Sequence, residues 1–454
     1  MQIAGAIRSL RSGEGLRGQL MRGGVGSVAV KIASTLLNVL MAIVLARLLG
    51  VEGFGVYSFV FAVVTIMAIP AQMGLPNLVV RETAKAQADG RWDVMKGLWR
   101  WASLLALAIS LTLIVAGVLA AWVFSERFSP TQLAVFYWGL ALVPLIALGN
   151  LRGAALRGLR HVVRGQLPEF VLRPAVFIVL VLTAHLGMVG RTLTASNAMM
   201  LHAAASLVAF AIGAAMLMRA RPAELITERR ETTCWRPWLA STLPLAMVEG
   251  MHIINQNIGI LALGVFANAE HVGLFRVSLQ GATMVTIGLT AINLVVGPHF
   301  ARFHARQDTE RLQMLTTLSA RAALAIAVLI TLVFILFGRE ILRVLFGSEF
   351  EPAYPALIIV SLAQLANAYT GSVGSLLIMS GNERSVIAGL IKSASLNIIS
   401  MPILIHLWGV NGAALSMSIA IIYLNANFIF SASKKLKITI GPLGKRTRHL
   451  SERE

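Results

Sequence analysis

Cysteine and charge are what this chain has least of. Its 454 residues include one cysteine, Cys234, and only 13% are Asp, Glu, Lys or Arg, against roughly 25% in an average soluble domain. A single thiol excludes an internal disulfide, a multi-cysteine zinc site and an iron–sulfur cluster. No G-x-x-x-x-G-K-[ST] phosphate loop occurs, the nearest fragment, Gly441-Pro442-Leu443-Gly444-Lys445, having the wrong spacing. That argues against ATP drive by this chain. H-E-x-x-H, G-x-S-x-G and metal-ligand clusters are also missing, so the sequence points away from an enzyme. No cofactor is expected.

Apolar residues make up 57% of the chain, and the mean hydropathy is +0.77. No soluble core needs that much apolar surface, so the sequence reads as an all-α polytopic membrane protein. The net charge of +19 would suit nucleic acid if Lys and Arg formed one stripe or domain. They fall instead in short clusters between long apolar runs, the pattern that orients a multi-span protein. A nucleic-acid partner is therefore not expected; the lipid bilayer is.

About 20 apolar residues cross the hydrocarbon core. Twelve spans follow, at approximately 25–49, 57–80, 101–122, 133–151, 169–186, 197–218, 239–264, 272–299, 322–337, 354–379, 386–406 and 413–430. Residues 1–24 are polar and the first run is too long for a signal h-region, so it reads as the first span. On alternate sides, the N-tail and segments 81–100, 152–168, 219–238, 300–321, 380–385 and 431–454 hold 30 Lys plus Arg, while the opposite loops hold 4. The positive-inside rule then places both termini in the cytoplasm. Tryptophans at the span ends (Trp99, Trp101, Trp122, Trp235, Trp238 and Trp408) read as interfacial anchors. Pro70, Pro76, Pro244, Pro298 and Pro402 lie within spans, which predicts bends in spans 2, 7 and 8.

The chain also repeats itself. Val51-Glu52-Gly53-Phe54-Gly55-Val56-Tyr57 after span 1 matches Ala269-Glu270-His271-Val272-Gly273-Leu274-Phe275 after span 7, at a spacing of 218. The span 5–6 turn Leu186-Gly187-Met188-Val189-Gly190 resembles Leu407-Trp408-Gly409-Val410-Asn411-Gly412 near a spacing of 222. The expected organisation is a cytoplasmic N-tail at 1–24, a six-helix half at 25–218, a cytoplasmic linker at 219–238, a second six-helix half at 239–430 and a basic tail at 431–454. Six spans per half make the repeats parallel, two pseudo-symmetric bundles around a central cleft, and transporters of this build place the substrate path between the halves.

Charge inside a span costs about 2.5–3.5 kcal/mol on insertion scales, so it usually faces water or a partner. Glu249, His252 and Gln256 share one face of span 7, and the 218 spacing carries that stripe onto Lys31, Ser34 and Asn38 in span 1. Pseudo-symmetry would turn both stripes toward the cleft, with Lys31 opposite Glu249. Glu249, about ten residues inside its span, is the candidate for coupling to a proton or sodium ion, with His252 beside it. Lys31 is near enough to a span end to snorkel. Arg173, four residues after Glu169, can form a purely structural pair, yet Arg173 and Lys392 on equivalent helices also suit an anion-binding vestibule.

These residues carry a family resemblance. Leu45-Ala46-Arg47-Leu48-Leu49-Gly50-Val51-Glu52-Gly53-Phe54-Gly55-Val56-Tyr57 resembles the first-loop signature of the bacterial polysaccharide flippases, the Wzx-type oligosaccharide exporters, within the superfamily of multidrug extruders and lipid II flippases. Phe337-Gly338, Leu345-Phe346-Gly347-Ser348-Glu349-Phe350, Met379-Ser380-Gly381-Asn382, Pro244 and the Leu263-Gly264 to Gly273 segment fit the same pattern. Each motif is mostly glycine and apolar residues; their order in a twelve-span frame carries the likeness.

The resemblance implies alternating-access transfer of a polyprenyl-diphosphate-linked oligosaccharide from the cytoplasmic to the outer leaflet of a bacterial inner membrane. It also implies a polysaccharide polymerase and other assembly proteins as partners. Lys31, Asn38, Arg173, Lys392 and Gln256 would line the cleft. Many relatives have an acid later in span 7 where this chain has Asn257, a departure that bears on any coupling residue carried over. Lipid II flippases generally carry two further helices, for which this chain has no room. A multidrug extruder is the alternative, although several cations against one clear intramembrane acid favour an anionic substrate. A membrane glycosyltransferase or polymerase is the second alternative; it would need essential residues such as Arg339, Arg343 and Glu349 in the outer loops.

Overall fold

The computed structural model describes residues 16–187, 192–228, 231–436 and 438–442. Arg8, Arg11, Arg191 and most of the basic tail lie outside them, as do Met188 to Gly190 of the repeated turn and the side chain of Pro244. Every regular element among the described residues is helical.

The chain folds as α1 (Leu16–Gln72), α2 (Leu75–Ala88), α3 (Trp92–Val123), α4 (Pro130–Leu140), α5 (Leu142–Gly158), α6 (Val162–Leu167), a π-helical turn (Pro168–Leu172), α7 (Arg173–Gly187), α8 (Ala195–Ala220) and α9 (Ala223–Thr227). There follow α10 (Trp235–Phe266), α11 (Ala269–Val285), α12 (Ile287–Ala305), α13 (Thr309–Leu345), α14 (Tyr354–Thr370), α15 (Val373–Met379) and α16 (Glu383–Leu436).

Among the described residues, seven helical stretches are long and apolar enough to cross a membrane, and two bent pairs, α11 with α12 and α14 with α15, bring that to nine. Two of the seven are double length and broken. The 57-residue α1 breaks at Gly50 (φ 68°, ψ 178°), and the 54-residue α16 breaks at Trp408–Gly409. Each piece is long enough to cross on its own at 1.5 Å per residue. With the 32-residue α10, every one of the twelve sequence-read spans lies on helix. Span 2 breaks at Met73–Gly74 and span 8 bends by 49° at Thr286.

Membrane character shows in what the helices leave uncovered. On α3, Leu104, Leu107, Leu111, Val115, Leu119 and Trp122 form an exposed apolar stripe, and α13 exposes Leu329, Leu332, Leu336 and Phe337. In water such stripes would be buried. Trp122, Trp235 and Trp408 are exposed as interfacial anchors should be, whereas Trp238 is buried beside Trp101, ring centroids 5.4 Å apart.

The described chain divides into two compact units, Met1–Asn257 and Ile258–Glu454. Most of α10 therefore belongs with the first unit. In the first, α5 is central and packs against α1, α2, α3 and α8; in the second, α14 packs against α11, α13 and α16. Their turns repeat. Gly50 and Asn268, 218 apart, both interrupt helix with ψ near 180°. Gly90 (φ 66°) and Gln307 (φ 55°), 217 apart, each end the helix before the third span, and Arg160 (φ 67°) and Gly381 (φ 74°), 221 apart, do so after the fourth. A left-handed residue is a standard helix stop, and the same stops recur at matching places in the two units.

Candidate polar site in the N-terminal unit

Buried charge gathers in the first unit. Pro168 lacks the N–H of a regular helix, and the chain passes through one π-helical turn at Pro168–Leu172, a distortion often found at functional sites. Glu169 sits in that turn, 8% exposed. Its Oε1 accepts a hydrogen bond from the Arg152 guanidinium at 2.9 Å, and Arg173 Nη1 stands 3.5 Å from Oε2. Arg152, on α5 and 5% exposed, also donates to the Ala209 and Phe210 carbonyls of α8 at 3.0 and 2.6 Å. Two glycines make room. A Cβ on Gly149 would lie 2.3 Å from Glu169 Oε1, and one on Gly213 would lie 2.2 Å from Arg152 Cζ. An unpaired charge here would be costly, so the pair and its cradle form one unit.

Arg157 lies on the same helix, half-buried, and its Nε has no hydrogen-bond partner. Glu249 of α10 is within Coulombic reach of its guanidinium. Further polar pairs complete the interior: Asn150 donates to Gln72 Oε1 at 2.7 Å, and Tyr57 Oη meets His202 Nδ1 at 2.7 Å. The His202 ring stacks 4.8 Å from Phe177 and 5.0 Å from Phe61.

The sequence-read residues fall as follows. Arg173 joins Glu169 and Arg152. Asn38 donates to the Ser34 carbonyl at 2.7 Å, so the span 1 stripe is a hydrogen-bonded face, with Lys31 exposed at its end. His252 and Gln256 are exposed on α10 and hydrogen-bonded to each other at 2.8 Å. Glu249 is exposed and within Coulombic reach of Arg157, and among the described residues it forms no ion pair with Lys31. Lys392, in the second unit, is exposed.

Arg152 and Arg157 were not expected here. Reading 152–168 as a loop assigned them to the basic segment, whereas α5 continues to Gly158. The signal was present in Gly149-Asn150-Leu151-Arg152-Gly153, a G-x-x-x-G face that marks close helix packing in membranes. Gly153 indeed faces the Gly165 carbonyl.

Comparison with known proteins identifies the family. Residues 20–304, more than half of the chain, match the polysaccharide biosynthesis protein family. The chain belongs to that family. A probable low-salt glycan biosynthesis flippase of Haloferax volcanii is 20% identical over 161 residues, which is 36% of this chain and 34% of that protein. The match thus spans about a third of that relative's length. Among solved structures, an inward-facing multidrug resistance MATE family transporter of the MOP superfamily superposes with a TM-score of 0.74 at 15% identity, covering 90% of this chain and 98% of the other. The lipid II flippase MurJ, inward closed, gives 0.69 at 12% identity, covering 89% and 87%. The likeness to these structures is one of fold, and the chain is a multi-pass helical membrane protein of the polysaccharide biosynthesis protein family.

Proposed function

We propose that the protein moves polyprenyl-diphosphate-linked oligosaccharides from the cytoplasmic to the outer leaflet of the bacterial inner membrane. In this reading both termini are cytoplasmic and two six-helix halves, 25–218 and 239–430, alternate access to a cleft. One observation carries the substrate class: Arg157 is a half-buried arginine in a membrane helix whose Nε has no partner. A cation desolvated in that way usually meets an anion or lines a watery path, and a diphosphate is a fitting anion because guanidinium binds phosphate oxygens in pairs. Lys31, Arg173 and Lys392 would add positive potential, with Asn38 and Gln256 bonding sugar hydroxyls, while the polyprenyl tail stays in lipid.

Glu249 supplies the coupling. Its negative charge, within Coulombic reach, offsets part of the Arg157 potential, and neutralising that charge leaves the full potential to the substrate. Proton entry and substrate capture are then linked through one pair, with His252 and its partner Gln256 one turn along as the relay. Sodium held by Glu249 would act in the same sense. A polysaccharide polymerase and other assembly proteins would receive the flipped unit.

The test is reconstitution of the purified protein in liposomes carrying a labelled polyprenyl-diphosphate oligosaccharide, with leaflet exchange read by an impermeant reagent. Protein-dependent exchange without uptake of a cationic drug supports the reading. Proton-linked drug uptake with no exchange of several glycans would transfer the chain to the extruder branch.

A further inference from the structure

A second feature of the first unit adjoins the Arg152 side of the polar site. A groove of about 680 Å³ runs between α3, α5 and α8 and is closed at one end by the segment after α8. Its walls are apolar: Leu104 and Leu107 from α3, Leu148 and Leu151 from α5, Leu217 and Met218 from α8. Leu104, Leu107 and Met218 are among the exposed apolar residues, so the groove is open to lipid along its side. From Lys96 to Leu107 it covers three turns of α3, roughly 16 Å at 1.5 Å per residue, about half of the ~30 Å hydrocarbon core. That is the depth of one leaflet.

The closed end is cationic. Lys96, Arg100 and Arg221 line it together with a single acid, Glu231, which Arg100 approaches to 2.9 Å and Lys96 to 3.9 Å. Arg221 is exposed and forms no ion pair among the described residues. Deeper in, the groove touches Arg152, whose side chain is 4% exposed and whose Nε has no hydrogen-bond partner. The cap is fastened to α3. Thr232 Oγ1 donates to Asp93 Oδ2 at 2.5 Å, the Thr232 amide donates to the Asp93 carbonyl at 3.2 Å, and Lys96 Nζ donates to the Glu228 carbonyl at 2.8 Å. Gly97 lets this strap lie flat, since a Cβ there would come within 2.3 Å of the Thr232 carbonyl oxygen.

We infer that this groove binds one anionic phospholipid of the cytoplasmic leaflet, its phosphate among Lys96, Arg100 and Arg221 and one acyl chain along the leucine walls. Cations exceed acids at the mouth, the walls are apolar and the depth is that of a leaflet; basic pockets between membrane helices on the cytoplasmic side are a recurring anionic-lipid site. The inference shares with the proposed function only the orientation of the chain. It needs no glycan, so either can fail alone. Occupancy would fix the strap against α3.

The experiment is native mass spectrometry of the full chain in detergent, titrated with phosphatidylglycerol or phosphatidylcholine. The wild type should retain one phosphatidylglycerol at concentrations where phosphatidylcholine is lost. Lys96→Gln, Arg100→Gln and Arg221→Gln together should weaken retention by at least about tenfold, since each cation near a lipid surface is worth roughly 1 kcal/mol. Ala214→Trp, which fills the wall without touching the cations, should reduce it as well. Equal retention of the two lipids, or unchanged retention in both variants, would overturn the proposal. Displacement of phosphatidylglycerol by an equimolar polyprenyl phosphate would overturn the phospholipid assignment. Arg339→Gln with Arg343→Gln, remote from the groove, should leave retention unchanged.

Discussion

The two units share their turns and differ in what they bury. In the N-terminal unit the interior holds ions: Arg152 and Glu169 are buried together with Arg173 at their edge, and half-buried Arg157 lies within Coulombic reach of exposed Glu249. In the C-terminal unit the described interior holds hydroxyls and amides. Ser416 bonds Asn397 at 2.8 Å and Ser400 at 2.6 Å, Thr370 bonds Asn425 at 2.7 Å, and Ser393 donates to the Ala420 carbonyl at 2.8 Å. The ion pairs described there, Arg311 with Asp308 and Arg343 with Glu351, lie at exposed helix ends and turns. At repeat-related positions Tyr57 meets His202, whereas Phe275 is wholly buried with its ring against Gly259. The two units have kept the same helix stops, while the buried ion cluster found among the described residues, Arg152 with Glu169, lies in the first unit.

The sharpest way to break this contrast is to remove one member of the buried pair. Glu169→Ala should destabilise the protein by about 3–5 kcal/mol, because Arg152 would be left buried and uncompensated. Thermal unfolding in detergent measures it. Replacing Arg152 and Glu169 together by Met and Leu should restore much of that stability; transport that returns as well would make the pair structural, and transport that stays lost would make it functional.

Glycine substitution comes next. Gly153→Ala places a methyl 2.5 Å from the Gly165 carbonyl oxygen, while Gly374→Ala, 221 residues later, meets only the Phe428 ring at 3.3 Å. The first should cost about 1–3 kcal/mol by overpacking, and the second clearly less. Smaller again is Tyr57→Phe, which removes the bond to His202 for about 1 kcal/mol. The converse, Phe275→Tyr, should also destabilise by burying a hydroxyl where the first unit supplies a histidine. Smallest of all is Arg343→Ala: its ion pair with Glu351 is solvent-exposed, and neither unfolding nor glycan exchange should change measurably. Loss of exchange in that variant would favour an enzyme acting through the outer loops.

Much of the fold was legible because a membrane leaves so few choices. Apolar runs located the helices, and the repeat read at 51–57 and 269–275 begins just after Gly50 and Asn268, where the structure breaks the helix. The charged site was less legible. The first charge after a long apolar run reads as the end of a span, and that placed Arg152 in a loop. In the fold its partner comes from a π-helical turn 17 positions on, and the glycines that accommodate the pair come from α5 and from α8. Periodicity records which face of a helix is apolar; it does not record which charge a neighbouring helix will neutralise. Glu249 and His252 drew attention for the opposite reason, since mid-span charge at i and i+3 stands out in an apolar run; in the fold both are exposed. Trp238 shows the limit of the aromatic signal, because a tryptophan at a span end can turn inward to a second one.

The most direct test of the account compares glycan exchange in liposomes for the wild type, Arg157→Gln and Arg343→Gln, with insertion and thermal stability matched. The account predicts that Arg157→Gln falls by at least about tenfold, the loss of roughly 1.4 kcal/mol of anion stabilisation, while Arg343→Gln keeps the wild-type rate. Wild-type exchange in a folded Arg157→Gln protein would contradict the proposal that half-buried Arg157 receives the diphosphate.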